Sequence, residues 1–225
     1  VGVGNAGKVY LVLGASLGSS TIDLSDADYS FLGETGEAGV SVAGGGDVDG
    51  DGLDDLIVGA WYNHDGGTRA GKAYLVLGAS LGSSRTIDLS EADYSFVGEH
   101  VEDRAGISVS SAGDVDGDGF DDILVGARQN DDGGLDAGKA YLILGASLGI
   151  SSTIDLSEAD YSFVGEHAGD LAGRSVSSAG DVNGDGLADL IVGANSDDDG
   201  GENAGRAYLI FGASLGSASA IDLSL

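Results

Sequence analysis

The sequence contains no cysteine, no proline and no methionine, and only one tryptophan among its 225 residues. Without cysteine the chain can form no disulfide, and its composition does not indicate an oxidising or a reducing compartment. Basic residues are scarce as well, because nine Lys and Arg stand against 38 Asp and Glu, giving a formal net charge of −29. Such a surface repels the phosphates of nucleic acids and of anionic lipids, so both are poor candidates for partners.

Long hydrophobic runs are also lacking. No stretch approaches the length of a membrane-spanning helix, and none resembles a signal peptide. Because the chain begins with Val1 rather than an initiator methionine, we expect a mature fragment or an excised part of a longer polypeptide. The hydrophobic content of 42% is sufficient for a core and argues against a disordered acidic tail.

One acidic nine-residue segment occurs three times, as DVDGDGLDD, DVDGDGFDD and DVNGDGLAD. The copies begin at Asp47, Asp114 and Asp181, so successive copies are 67 residues apart and the chain is a tandem repeat. Each copy places oxygen-bearing side chains at its positions 1, 3, 5 and 9. These residues are Asp47, Asp49, Asp51 and Asp55 in the first copy, Asp114, Asp116, Asp118 and Asp122 in the second, and Asp181, Asn183, Asp185 and Asp189 in the third.

Carboxylates so close in sequence repel one another unless a hard cation lies among them. Ca²⁺ fits best, because it accepts six to eight oxygen ligands in flexible geometry, whereas Mg²⁺ loses its water reluctantly. Glycine at position 6 permits a sharp turn, and the carbonyl of position 7 is the expected backbone ligand. The position 7 residues are Leu53, Phe120 and Leu187. The sequence therefore predicts three calcium sites, and the alternative is a solvated acidic turn without metal.

An EF-hand also begins Asp-x-Asp-x-Asp-Gly, but it requires a glutamate at position 12 on a following helix. Position 12 is Val58, Val125 or Val192 here, within short apolar runs that end in glycine and are typical of buried strands. The loop is therefore expected between two strands, with the position 9 aspartate at the start of the second.

Alignment of the copies predicts four strands per repeat, termed A to D. Strand A is centred on Val42, Val109 and Val176, and strand B follows the acidic loop. Strand C surrounds Tyr10, Tyr74, Tyr141 and Tyr208, and strand D surrounds Phe31, Phe96 and Phe163. Helical periodicity is missing and turn residues are abundant, so the predicted class is all-β. A four-stranded unit of this length must stack on its neighbours, which favours antiparallel β-propeller blades over a β-helix.

The blade boundaries follow from this alignment. Residues 1–36 hold strands C and D only, residues 37–101 and 102–168 are complete blades, and residues 169–225 form a blade that lacks its last strand. Thirteen strands make about three blades plus a half-blade, too few to close a ring. Either the parent chain is longer or several chains assemble through the incomplete terminal blades.

The connections differ on the two sides of the predicted sheets. The A–B loops are the acidic loops, and the C–D loops repeat almost verbatim, as in GASLGSSRTIDLSEAD. The B–C and D–A loops, which lie on the opposite side, diverge from copy to copy. Repeats keep the residues that folding requires, whereas residues that are free or that contact a partner can vary. A binding surface is therefore expected on the B–C/D–A side.

The DxDxDGxxD segment between two short strands resembles the FG-GAP repeat of the seven-bladed propeller in integrin α subunits and of many bacterial secreted and surface proteins. The resemblance covers essentially the whole chain and implies calcium at the residues named above, on the side away from the ligand. It departs at the Phe-Gly and Gly-Ala-Pro signatures, which here read Ala38-Gly39 and Gly59-Ala60-Trp61 in the first copy. The packing between blades should therefore differ, and no integrin ligand contact can be transferred.

Catalysis finds little support. His64, His100 and His167 lie in variable loops without matching partners, and Ser80 of the GASLG segment recurs in every copy, which indicates a turn rather than a nucleophile. We expect a non-enzymatic, calcium-stabilised adhesion or assembly module that binds a protein or glycan. Weak loops of this type need millimolar Ca²⁺, which favours an extracellular or cell-surface location, and the resemblance implies a bacterial one. The alternatives are a non-catalytic or carbohydrate-binding part of a secreted enzyme and a structural subunit of a surface filament.

Overall fold

The computed structural model describes residues 5–18, 21–149, 151–216 and 218–224. Short β-strands joined by glycine-rich turns make up these residues, and the all-β prediction is confirmed. Thirteen strands correspond to the predicted A to D elements. They are β1 (Lys8–Leu11), β2 (Tyr29–Leu32), β3 (Ser41–Gly46), β4 (Asp55–Ala60), β5 (Lys72–Val76), β7 (Tyr94–Val97), β8 (Ala105–Gly113), β9 (Asp122–Ala127), β10 (Lys139–Ile143), β12 (Tyr161–Val164), β13 (Ala172–Gly180), β14 (Asp189–Ala194) and β15 (Arg206–Ile210).

Antiparallel pairing in A–B–C–D order builds each blade. β3, β4, β5 and β7 form the first complete blade, and β8, β9, β10 and β12 form the second. The last sheet contains the A, B and C strands β13, β14 and β15, and the first sheet contains the C and D strands β1 and β2. These are the partial propeller blades that the sequence predicts.

Three further strands were missed by the sequence reading, which treated the C–D segments as plain loops. They are β6 (Thr86–Asp88), β11 (Thr153–Asp155) and β16 (Ala220–Asp222). Each pairs in parallel with strand D of the preceding blade, so that Ile154 of β11 lies opposite Phe96 of β7. The near-verbatim repetition of the C–D segment therefore reflects a strand that joins neighbouring blades.

Blades approach one another most closely at glycines. A Cβ built on Gly59 of β4 would lie 2.0 Å from the carbonyl oxygen of Gly106 in β8. A Cβ built on Gly126 would lie 2.0 Å from the carbonyl oxygen of Gly173. Gly106 also has a φ of +79°, a backbone conformation that glycine adopts without steric cost. The glycines that persist from the family pattern therefore permit direct backbone contact between blades, where a side chain would force them apart.

Apolar side chains fill the space between successive blades. Ile57 and Leu75 of the first complete blade share a buried cluster with Val125 and Tyr141 of the second. A similar cluster joins the second blade to the last sheet and includes Leu124, Leu142 and Val176. Because each sheet is covered on both faces only where a neighbour is present, the core lies between blades rather than inside any one of them.

Two apolar faces are incompletely covered. Val42 of β3 lies on the face that packs against the first sheet, in which the described residues form no A or B strand, and it is 54% exposed, whereas its equivalents Val109 and Val176 are 5% and 7% exposed. In the last sheet Leu209 of β15 is 48% exposed, whereas its equivalents Leu75 and Leu142 are completely buried. Among the described residues no helix is long and apolar enough to cross a membrane.

Candidate metal centres and the opposite loop surface

Each acidic loop connects strand A to strand B at the same end of its blade. The position 6 glycines Gly52, Gly119 and Gly186 have φ values of +89°, +95° and +93°, in the region where glycine is favoured. The sharp turn expected from the sequence is therefore present in all three loops.

In the first two loops the structure gathers the carboxylates of positions 1, 3 and 9. Ligand atoms from Asp47, Asp49 and Asp55 all lie within 4.8 Å of one another, and so do those of Asp114, Asp116 and Asp122. Oδ1 of Asp47 is also buried and has no hydrogen-bond partner in the described part of the chain. An unpaired buried carboxylate oxygen beside two further carboxylates fits a cation, since such an oxygen otherwise carries an uncompensated desolvation cost. These acidic groups could hold a metal.

The position 5 carboxylates accept hydrogen bonds from the backbone of position 7. Oδ1 of Asp51 accepts from the N–H of Leu53 at 2.8 Å, and Oδ1 of Asp118 accepts from that of Phe120 at 2.9 Å. These bonds fix the turn and leave the second carboxylate oxygen available. That position 5 and the carbonyl of position 7 are metal ligands stays a prediction.

The third loop differs because an amide replaces a carboxylate. Nδ2 of Asn183 donates to Oδ2 of Asp185 at 2.8 Å, and Oδ1 of Asn183 accepts from the N–H of Asp185. Asp181 is exposed, and the N–H of Gly186 that donates to its carboxylate is the main cause that lowers the pKa of Asp181. With one carboxylate fewer at the four candidate ligand positions, this loop presents less negative charge to a cation than the other two.

The position 9 aspartates join two separate backbone segments. Asp122 is completely buried, its Oδ2 accepts from the N–H of Val115 in the acidic loop, and its Oδ1 accepts from the N–H of Gly145 after strand C, both at 2.9 Å. Asp55 and Asp189 make the equivalent pairs of bonds. Sequence reasoning assigned these residues to metal binding alone, because it could not show which N–H groups would surround them.

Burial also raises the pKa of two position 9 carboxylates, those of Asp55 and Asp122. Desolvation is the largest cause at Asp122, whose pKa rises to about 7 although two N–H donors favour the charged form, and the neighbouring Asp116 and Asp118 raise it further. The pKa of Asp55 shifts in the same direction for the same reason. A cation beside these groups would offset both the desolvation and the mutual repulsion.

Acidic loops of successive blades also contact each other. Oδ2 of Asp121 accepts from the N–H of Asp47 at 2.9 Å, while the N–H of Asp121 donates to the carbonyl of Asp47 at 3.0 Å. The ring of Phe120 lies against Gly50, where a Cβ would approach it to 2.6 Å. The first two candidate metal centres therefore lie on one continuous surface.

The opposite side carries a polar cluster that the sequence reading missed. Nζ of Lys139, the first residue of β10, lies 2.9 Å from Oε2 of Glu99 and 2.7 Å from Oδ2 of Asp132, and the hydroxyl of Tyr141 donates to Glu99 at 2.8 Å. The other two junctions repeat the arrangement with Lys72, Glu34, Asp65 and Tyr74, and with Arg206, Glu166, Asp199 and Tyr208.

The cluster also orders acidic residues of the B–C loops. Asp132 and Asp199 are paired with cationic side chains, and Asp197 is only 1% exposed. The recurring GKAY and GRAY segments and the Gly-Glu after strand D were the available signal. The variable loops thus contain a constant structural part, and their variation is confined to the remaining positions.

Other residues considered for chemistry occupy structural or exposed positions. Ser80 lies in a 3-10 turn and its hydroxyl donates to Asp93 at 2.7 Å. The side chains of His100 and His167 are 58% and 61% exposed. Trp61, Tyr62 and His64 form a chain of edge-to-face contacts with ring centroids 5.3 Å apart, so this aromatic cluster is an ordered part of the B–C surface.

Comparison with known proteins places the repeats in context. A family model described as FG-GAP repeat matches residues 38–76, 105–143 and 172–210, together more than half of the chain. Integrin alpha-PS2 of Drosophila melanogaster is 33% identical over 159 residues, which cover 68% of this chain and 11% of that protein. Integrin alpha-5 of Xenopus laevis is 32% identical over 174 residues, or 74% of this chain and 16% of that protein.

Integrin alpha pat-2 of Caenorhabditis briggsae is 29% identical over 191 residues, or 82% of this chain. The chain spans 11% to 16% of the length of these three relatives. Each matched FG-GAP segment contains strands A, B and C together with the acidic loop, so the sequence match and the blade geometry agree. The chain belongs to the FG-GAP repeat family.

Proposed function

We propose that this chain is a calcium-stabilised, non-enzymatic module for extracellular adhesion or ligand binding. The main support for this proposal is that the two sides of the blades differ. One side gathers carboxylates in loops of constant sequence, and the other presents loops that vary around a constant ion-paired base. The similarity to integrin alpha chains supports an adhesive role.

Calcium would act on folding in this proposal. Three carboxylates brought within 4.8 Å repel one another, and a divalent cation converts this repulsion into attraction. Because the ligands of positions 1, 3 and 9 come from the loop and from strand B, binding would fix the A–B connection. The free energy of calcium binding would then add to the free energy of folding.

The calcium part of the proposal is tested by isothermal titration calorimetry with Ca²⁺, and by circular dichroism and sedimentation velocity with and without EDTA. We expect saturable binding, tighter at the first two loops than at the third, and a lower melting temperature in EDTA. At a calcium concentration 100 times the dissociation constant, each site adds about 2.7 kcal/mol to stability. If calcium neither binds nor changes the melting temperature, the loops are not calcium sites.

The adhesion part is tested by binding the labelled chain to arrays of extracellular proteins and of glycans, in Ca²⁺ and in EDTA. We expect binding to one class of array that is lost in EDTA. The Asp116→Asn variant should weaken one calcium site without changing the variable loops, and we expect it to bind more weakly. Binding that is insensitive to both EDTA and this substitution would contradict a calcium-stabilised binding surface.

We also propose that the uncovered end faces take part in assembly. Val42 and Leu209 are exposed at positions whose equivalents are buried between blades. Val42 lies beside the first sheet, whose described residues form no A or B strand, and Leu209 lies on the last sheet. Strands of the same kind, from another copy of this chain or from another part of a longer polypeptide, would cover these faces.

A further inference from the structure

Three of the nine basic residues of this acidic chain lie together at one blade junction. Arg104 precedes β8 and Arg128 follows β9, and the pairing of Ala105 with Ala127 places the two arginines side by side at the end of this strand pair. Arg174 comes next to Gly173, whose Cβ would lie 3.3 Å from the backbone nitrogen of Ala127. The three arginines therefore share the B–C/D–A side of the junction between β9 and β13.

This group lacks the close carboxylate partners that Arg69, Lys72, Lys139 and Arg206 of this side possess. Within the described ranges Arg128 and Arg174 have no carboxylate within 4.0 Å, and Arg104 reaches only Glu102, at 4.0 Å. By contrast, Arg69, Lys72, Lys139 and Arg206 each form a closer ion pair. The Nε atoms of Arg104 and Arg128 are buried without a hydrogen-bond partner, and a buried unsatisfied donor carries a cost that a ligand oxygen would remove.

The positive charges of the group repel one another. Burial lowers the pKa of the Arg128 guanidinium, and the charges of Arg174 and Arg104 lower it further, whereas the charge of Asp136 acts in the opposite direction. Arg104 also lies over the ring of Trp61, with its guanidinium carbon 5.0 Å from the ring centroid. Arg174 is exposed and Arg104 and Arg128 are partly so, so a ligand can reach the group from solvent.

The neighbouring junction shows that the blade scaffold does not require this charge. The positions equivalent to Arg104, Arg128 and Arg174 are Glu37, Trp61 and Ile107 there, and Nε1 of Trp61 donates to Glu37 at 3.1 Å. One junction thus satisfies its polar groups internally, whereas the other concentrates positive charge in a molecule with a net charge of −29.

We propose that Arg104, Arg128 and Arg174 form a binding site for a carboxylate side chain of a protein ligand. Guanidinium groups bind carboxylates through paired, charge-assisted hydrogen bonds. A sulfated glycan or a nucleic acid fits less well, because its many charges would meet the acidic surface around the site. The inference rests on the proposed ligand-binding function and adds the chemistry of the ligand.

The probe is the blocked peptide acetyl-Gly-Glu-Gly-amide, titrated in Ca²⁺ into the ¹⁵N-labelled chain while the arginine Nε–Hε signals and the fluorescence of Trp61 are recorded. We expect saturable shifts of the Arg104, Arg128 and Arg174 signals, with a dissociation constant in the millimolar range. The R128Q and R174Q variants should bind at least about tenfold more weakly. The R85Q variant removes the same charge on the opposite side of the blades and should bind as the wild type does.

Two comparisons identify the ligand chemistry. The glutamine peptide acetyl-Gly-Gln-Gly-amide should not bind, and inorganic sulfate should bind more weakly than the glutamate peptide. The absence of saturable binding by the wild type, equal binding by R128Q and R85Q, or sulfate binding as strong as that of the glutamate peptide would each overturn the inference. Melting temperatures with and without EDTA on the same samples test calcium stabilisation separately, so either proposal can fail while the other holds.

Discussion

At the scale of single residues, the position 9 aspartate is placed for two roles. Asp122 holds the acidic loop to the turn after strand C through two backbone N–H groups, and it also faces the carboxylates of Asp114 and Asp116. Each carboxylate oxygen retains a second lone pair after accepting one hydrogen bond. Backbone fixation and cation binding can therefore use the same side chain.

Comparing the D122N variant with D116N should distinguish backbone fixation from cation binding. The amide can accept only one of the two N–H groups and turns its own donor toward the other, so we expect a loss of about 1 to 3 kcal/mol in EDTA. The D116N variant should change stability little in EDTA but should reduce the stabilisation by Ca²⁺, because it removes one carboxylate from the second loop. Denaturant unfolding in EDTA and in Ca²⁺ measures both effects, and equal losses for the two variants in EDTA would contradict the fixation role.

The raised pKa of Asp122 predicts a pH dependence of the metal-free protein. The folded carboxyl has a pKa of about 7 against an ordinary value of 3.8, so folding takes up a proton between these pH values. Its contribution to stability is present below about pH 4 and is lost as the pH rises through 7. In EDTA the melting temperature of the wild type should therefore fall more between pH 4.5 and pH 7.5 than that of D122N, by thermal denaturation.

Calcium should reduce this difference, because it stabilises the charged carboxylate at high pH. A wild type and a D122N variant with the same pH profile in EDTA would show that Asp122 is ionised throughout the range. The prediction is a difference between two proteins, so the many exposed carboxylates, which titrate in both, do not affect it.

At the scale of the strands, the C–D segment makes each blade depend on the next. β11 adds to the edge of β7, and Leu156, which follows it, is 1% exposed within the cluster between the first two complete blades. Strand D of one blade is thereby covered by the following blade, which protects an edge that would otherwise offer unpaired backbone groups.

Truncation of Leu156 to Ala should destabilise the protein by about 2 to 5 kcal/mol, because it leaves a cavity between blades. The matched control is Leu135→Ala in a B–C loop, where the side chain is 72% exposed and the loss should be within about 0.5 kcal/mol. Urea unfolding followed by circular dichroism measures both. A small effect at Leu156 would show that the segment packs loosely against its neighbour.

The strand pattern was readable from the sequence because short apolar runs bounded by glycine-rich turns recur in each copy and determine strands A to D locally. β11 was not, because three residues between two turns carry no periodicity, and their pairing partner lies in another repeat. In the candidate site, positions 1, 3 and 9 follow from spacing alone. The N–H partners of Asp122 do not, because Gly145 reaches it only after strand C has folded back.

At the scale of the whole molecule, the chain is a stack with an incomplete sheet at each end. The junctions among the two complete blades and the last sheet bury the same positions, whereas Val42 beside the first sheet and Leu209 on the last sheet are exposed. In such an array stability comes from the interfaces between repeats, so the outermost sheets are stabilised by one neighbour rather than two.

The same substitution at equivalent positions should distinguish an end from an interior. Val109→Asp places a charge between blades and should cost roughly 3 kcal/mol or more, whereas Val42→Asp should leave the melting temperature nearly unchanged. If the ends associate, Val42→Asp should also shift sedimentation velocity profiles toward the monomer. An equal loss of stability at both positions would show that Val42 is covered within the monomer.

The sequence by itself determined the all-β class, the four-strand repeat and the acidic loops, because these depend on periodicity and spacing within one repeat. The tertiary structure decided how repeats depend on each other: the parallel strands that bridge blades, the ion-paired base of the variable loops, and the arginines gathered at one junction. These features join residues from different repeats, and the distances between such residues are set by how the blades pack. The sequence pattern within one repeat does not determine that packing.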